Sequence, residues 1–135
     1  MVTMPMNLNE RINYLQPTLA RAGFLLDEVQ PDLRYGERDA WAVYYKRDDC
    51  KLQFFWSGRM GGLNWMIAPS DAPNEFALTN SSKKWKYLLM LSTAHDDLET
   101  PSPGADAVTN MEWMKSLFEI HFPSAHAALA GQAHG

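Results

Sequence analysis

The densest run of side chains able to do chemistry is His95, Asp96, Asp97 and Glu99, interrupted only by Leu98. Adjacent carboxylates beside an imidazole suit divalent-cation binding or general acid/base work. The run stops at Pro101 and lacks the glycine and the spacing of an EF-hand loop. It therefore reads as a solvated acidic loop, in which Asp96 and Asp97 are candidates for meeting a basic partner. His121 and His126 are separated by Pro123 and do not have the i, i+4 spacing of a metal pair on one continuous helix. His134 falls in the tail, and no HExxH occurs.

Ser57, Gly58, Arg59, Met60, Gly61 and Gly62 superficially suggest a phosphate cradle. The Walker lysine is missing, and the stretch joins two strand-like runs instead of opening a helix. A hairpin loop explains the glycines, and leaves Arg59 at the tip to contact an anion or an acidic partner. Cys50 is the single cysteine and sits beside Asp48 and Asp49. Negative neighbours raise a thiol pKa, which disfavours an activated nucleophile, and G-x-S-x-G is absent. Lys83, Lys84 and Lys86 around Trp85 form a minimal basic cluster, read here as a solvated helix face.

The chain has 135 residues, 46% hydrophobic, with a formal net charge of -4. This suits one soluble domain, residues 1–135, with a tail fraying from about 131. The acidic balance argues against a nucleic-acid binder, which needs clustered cations. One cysteine excludes an internal disulfide framework and a multi-cysteine zinc site. The N-terminus shows no signal-peptide pattern, and no apolar run approaches membrane length. A cytoplasmic protein is expected, with no membrane partner and no cofactor.

The positioning elements follow from hydrophobic spacing. Leu8, Ile12, Leu15 and Leu19 predict a helix capped by Asn7 and stopped at Gly23, with Pro17 expected to kink or split it. Phe24 to Val29 reads as a short strand and 30–39 as a loop. The runs 40–47 and 50–57, flanking Asp48 and Asp49, are the clearest strands, followed by 63–68. Residues 83–91 fit a helix or, by alternation, a strand; helix is preferred. A last helix is expected from Thr109 to Pro123, with one or two more turns beyond. The fold class is α+β: an antiparallel meander of three to four strands packed with N- and C-terminal helices.

A two-residue turn at 48–49 pairs Trp41 with Trp56, Val43 with Phe54 and Tyr45 with Leu52, giving one apolar core face. The other face then carries Tyr44, Lys51, Gln53 and Phe55. Simple register through the glycine loop adds Trp65 and Ile67 to it, whereas a β-bulge would turn Trp65 to the core. This second face is too apolar for plain solvation, so either a helix covers it or a partner does.

The short N-terminal helical segment ending at Phe24, the aromatic meander 41–68, Phe76 to Leu78 and a terminal helical part with Trp85 and Trp113 resemble, as a layout, small bacterial immunity proteins of polymorphic toxin systems. The resemblance implies stoichiometric masking of a toxin without catalysis, and it carries over no functional residue. The expected function is a non-catalytic protein-binding module. Its partner is a protein, such as a basic toxin domain, held by Tyr44, Phe55, Trp65 and Arg59 with Asp96 and Asp97. A homodimer through the aromatic face is a further possibility. The rival reading is a small-ligand-binding protein or small hydrolytic enzyme with an aromatic-lined pocket, using Tyr45, His95 and His121.

Overall fold

The computed structural model describes residues 7–133 apart from 60, 61, 80 and 103. His134, the end of the tail, and part of the glycine loop thus lie outside the described residues. Helix α1 (Leu8–Arg21) leads into β1 (Leu25–Tyr35), β2 (Arg38–Lys46), β3 (Cys50–Ser57) and β4 (Gly62–Pro69). A 3₁₀ turn (Ala77–Thr79), the two-residue strand β5 (Lys86–Tyr87), α2 (Leu88–Leu91) and α3 (Ala107–Ala133) follow. The strands form one antiparallel sheet in the order β1-β2-β3-β4-β5. The α+β class is therefore as the sequence indicates, with the strand count raised to five.

Helix α1 opens on a capping box, in which the Glu10 N–H donates to Asn7 Oδ1 at 2.8 Å and the Asn7 N–H to Glu10 Oε1 at 3.2 Å. It closes on a Schellman turn. Gly23 takes a φ of 89°, its N–H bonds Ala20 O, and the Phe24 N–H reaches back to Leu19 O. Neither the expected split at Pro17 nor the expected stop at Pro123 occurs, because both helices run through their prolines. Each proline lies on an exposed position of its helix, as does the residue four positions earlier (Asn13, Glu119). Helix α3 starts slightly before Thr109, where Asp106 Oδ1 accepts the Thr109 N–H at 2.7 Å.

The 30–39 stretch is not a loop but the turn end of the first hairpin, the second half of β1 and the start of β2. Tyr35 pairs with Arg38 around Gly36 and Glu37, whose φ values of 59° and 65° are those of a primed turn. The short strand expected at 24–29 is the first half of β1; β1 is an edge strand, so its outer ladder needs no apolar alternation, and that hid its second half from the hydrophobic pattern. Two register shifts interrupt it, one leaving Asp27 extra and one at Pro31 and Asp32.

The β2–β3 register is as read, Trp41 opposite Trp56 and Tyr45 opposite Leu52. The β3–β4 register differs by one residue from the simple expectation. Ser57 pairs with Gly62 and Phe54 with Trp65, without a bulge. Trp65 and Ile67 consequently join the helix-facing core with Phe24, Phe118 and Phe122. The 83–91 stretch divides at Leu88 into β5 and α2; Lys83, with a φ of 60°, precedes both.

Candidate functional site

The second sheet face is sealed. Tyr44 and Phe55 are fully buried, and Met66 and Ala68 complete the face in place of Trp65 and Ile67. Its cover is an irregular segment instead of the helix considered from sequence. Phe76 sets its ring edge-on to Phe55, with centroids 5.5 Å apart, and Trp85 does the same to Tyr44 at 5.8 Å. The polar residues of the face tether that segment. Gln53 donates to Glu75 O and accepts the Ala77 N–H, both at 2.9 Å, while Lys51 donates to Ala72 O and to Asn74 Oδ1. Such complete pairing is what permits a buried amide and ammonium. The aromatic docking face expected at Tyr44, Phe55 and Trp65 is thus interior: Trp65 lies under α3, donating its indole N–H to Met114 O at 2.9 Å.

At the β2–β3 turn, Arg47 joins three elements. It donates through Nε and Nη2 to the two Asp49 oxygens at 2.5 and 3.1 Å, and through Nη1 to Ala22 O at the end of α1 at 2.8 Å. Its guanidinium also lies 5.2 Å from the Phe24 ring and 5.1 Å from the Phe122 ring. A cation at a helix C-terminus is further favoured by the helix dipole. His126 of α3 brings Nε2 to 2.7 Å from Asp49 Oδ2 and 3.0 Å from Arg47 Nη2, so it serves one of them at a time, according to whether that nitrogen carries a proton.

Asp49, Cys50 and His126 place ligand-type atoms within 4.8 Å of one another. Sequence spacing could not reveal this meeting, which folding of α3 against the turn creates. The Arg47 guanidinium, however, holds both carboxylate oxygens and already supplies the positive charge. Burial pushes the Cys50 thiol up to about 12, away from the thiolate that a metal or a nucleophilic reaction requires. Arg47 by its hydrogen bond, with His126 behind it, holds the Asp49 carboxyl well below the usual range.

A second histidine network lies further back along α3. His121 Nδ1 is 2.7 Å from Ser92 Oγ and its Nε2 is 2.5 Å from Asp96 Oδ2. The order is hydroxyl, imidazole, carboxylate, as in a hydrolytic triad. Ser92 Oγ, however, also accepts the Ala94 N–H and contacts Ser124 Oγ, which accepts the Thr93 N–H. These bonds clamp the 92–98 segment to α3. The hydrogen bond from His121 lowers the Asp96 pKa, so Asp96 is an internal anchor, whereas Asp97 and His95 are almost fully exposed. Tyr45 is buried with its hydroxyl lacking a partner among the described residues.

The opposite end of the sheet is built differently. Trp41 and Trp56, a directly paired couple, are only half-buried. With Asp32, Arg34 and Asp39 they line a cavity of about 460 Å³, open beside the second β1 bulge. Trp41 is steadied edge-on against Phe54 at 5.1 Å. A side chain at Gly58 would meet Trp56 at 3.3 Å and Asp39 O at 3.2 Å, so glycine keeps room for the indole. Asp39 is paired with Arg34 at 2.8 Å across an exposed surface. Asp32 makes no hydrogen bond or ion pair among the described residues, nor do the Trp41 and Trp56 indole N–H groups. Arg59 caps the same end from its other face, 5.5 Å from the Tyr35 ring and against Gly36, where any side chain would collide with it.

Of the residues expected to bind, Arg59 alone belongs to this open end. The half-exposed Trp41 and Trp56 were assigned to the core from their register, and Asp32 to a loop. Their common signal was only that a core-face tryptophan pair stood one residue inside the ends of the runs expected as strands, 40–47 and 50–57. Compared with protein-family profiles, curated proteins and solved structures, the chain matches none.

Proposed function

We propose that this protein is a non-catalytic binding module that docks a basic protein partner at the open end of its sheet, in the manner of an immunity protein masking a toxin. The supporting observation is the cavity lined by the Trp41–Trp56 pair and by Asp32, a carboxylate without a partner among the described residues. Half-buried tryptophans on a rigid sheet lose little entropy on binding, and water-excluding aromatic contacts supply most interface affinity. The net charge of -4 steers a cationic partner. Purified full-length protein and its Trp56→Ala variant are used to capture partners from the native host, and the captured protein is then titrated against both by calorimetry. The expected result is a basic partner whose affinity falls at least about tenfold with Trp56→Ala and whose toxicity on expression is relieved by the wild type only. Equal binding by both proteins overturns the reading.

The Ser92–His121–Asp96 order favours one rival, a hydrolase. Turnover of activated esters that vanishes with Ser92→Ala would establish it in place of the binding module; absence of such turnover leaves the clamp role.

A further inference from the structure

The two ends of the sheet use the same chemical parts. At the β2–β3 turn a guanidinium lies against two aromatic rings and takes both oxygens of one carboxylate. At the open end the rings and a carboxylate recur, but the arginine that lines this cavity, Arg34, is engaged with Asp39 and leaves Asp32 without a partner among the described residues. Trp41 and Trp56 offer indole surface, and Asp32 offers a free carboxylate at a bulge, where the extra residue is released from the ladder. Two of the exposed arginines repeat the same preferences in part, Arg34 on the carboxylate of Asp39 and Arg59 over the ring of Tyr35.

Resting on the binding reading above, we infer that the Trp41–Trp56–Asp32 cavity is a receptor for an arginine side chain of the partner. A guanidinium is planar and weakly hydrated, stacks on indole and pairs with a carboxylate in a two-pronged fashion. An ammonium satisfies the charge but neither the stacking nor the fork. An anionic or purely apolar occupant leaves Asp32 desolvated and unpaired. Arg34 lines the same cavity, but its guanidinium is taken up by Asp39 at 2.8 Å and its side chain is 70% exposed.

The full chain, labelled with nitrogen-15, is titrated with N-acetyl-arginine methylamide while the indole N–H resonances are followed. The same is done with the lysine analogue and with the neutral citrulline analogue; Trp41→Phe and Trp56→Phe assign the signals. The Trp41 and Trp56 signals are expected to move with arginine at about millimolar affinity, less with lysine and not with citrulline. The Trp65 and Trp85 signals, whose N–H groups are bonded internally to Met114 O and Pro73 O, stay fixed and act as controls. Asp32→Asn weakens the arginine response roughly tenfold, and Arg34→Ala, which frees Asp39, strengthens it. Unmoved Trp41 and Trp56 signals, or equal movement with citrulline, overturn the inference. The partner titration with Trp56→Ala separates the two ideas: if it still loses affinity while arginine does nothing, the docking end stands and only its occupant is wrong.

Discussion

Two bulges interrupt the same edge strand, each exposing an aspartate, and they have opposite fates. Asp27, at the first, accepts from Asn74 at 3.0 Å and lies 3.3 and 3.5 Å from the Lys46 and Lys51 ammonium groups. The Asn74 hydrogen bond and the two lysines hold its carboxyl below the usual range. Asp32, at the second, has no such partner among the described residues. The same division holds for the ends of the sheet: Arg47, Asp49 and His126 engage one another across three elements, whereas Trp41, Trp56 and Asp32 face a cavity. Charged and aromatic groups that satisfy one another hold a fold together, and those left unsatisfied at a rigid surface are available to a second molecule. Residue type alone does not separate the two roles.

The strongest way to break this contrast is Arg47→Ala. It removes a helix cap, two ring contacts and the partner of Asp49, and is expected to cost about 2 to 3 kcal/mol in denaturant unfolding. Partner affinity at the far end should be unchanged; a loss there would show that the ends are coupled. Trp56→Ala should do the reverse, removing about 2 kcal/mol of partner binding while costing about 1 kcal/mol of stability. Within the bulges, Asp27→Asn should destabilise by about 1 kcal/mol, and Asp32→Asn should change unfolding by less than about 0.5 kcal/mol.

The pH dependence sharpens the same division. The Asp49, Asp27 and Asp96 carboxyls are held below their ordinary values by partners they have only in the folded state. Their stabilisation is complete above the unfolded carboxylate pKa of about 3.9 and is lost as pH falls through the lower folded values. Denaturant midpoints measured across this acid range should therefore drop steeply for the wild type. The drop should be shallower for Arg47→Ala, in which Asp49 keeps only His126 to favour its charged form.

The smallest expected effects distinguish two neighbouring tyrosines. Both hydroxyls have their pKa raised by burial. Tyr44 donates to Gln30 Oε1 at 2.9 Å, whereas the Tyr45 hydroxyl has no partner among the described residues. Tyr44→Phe should lower stability by about 1 kcal/mol and Tyr45→Phe should leave it equal or slightly raised, as thermal unfolding would report.

Much of the architecture was legible from local pattern. The Asn7 cap, the Gly23 stop and the alternation either side of Asp48 and Asp49 are short-range signals, decided within a few residues. The first half of β1 was read as a strand, but its second half was taken for a loop, because an edge strand with one ladder open to water needs no strict apolar period. The prolines misled because the local rule weighs one lost hydrogen bond and a ring clash, whereas both helices run through their prolines and are held by packing along their whole length. Trp65 was placed on the wrong face by a single residue of loop length, since a one-residue slip reverses every side chain of a strand.

From sequence alone came the class, the central hairpin with its register, and the presence of aromatic side chains in excess of what one sheet face can bury. Which aromatics remain reachable was settled only by tertiary packing. The segment at 70–85 closes over Tyr44 and Phe55, and α3 closes over Trp65, through contacts between residues far apart in the chain. Neither cover reaches the cavity at Trp41 and Trp56. Exposure is a property of what lies across from a side chain, and hydrophobic attraction carries no direction by which one strand could specify that neighbour.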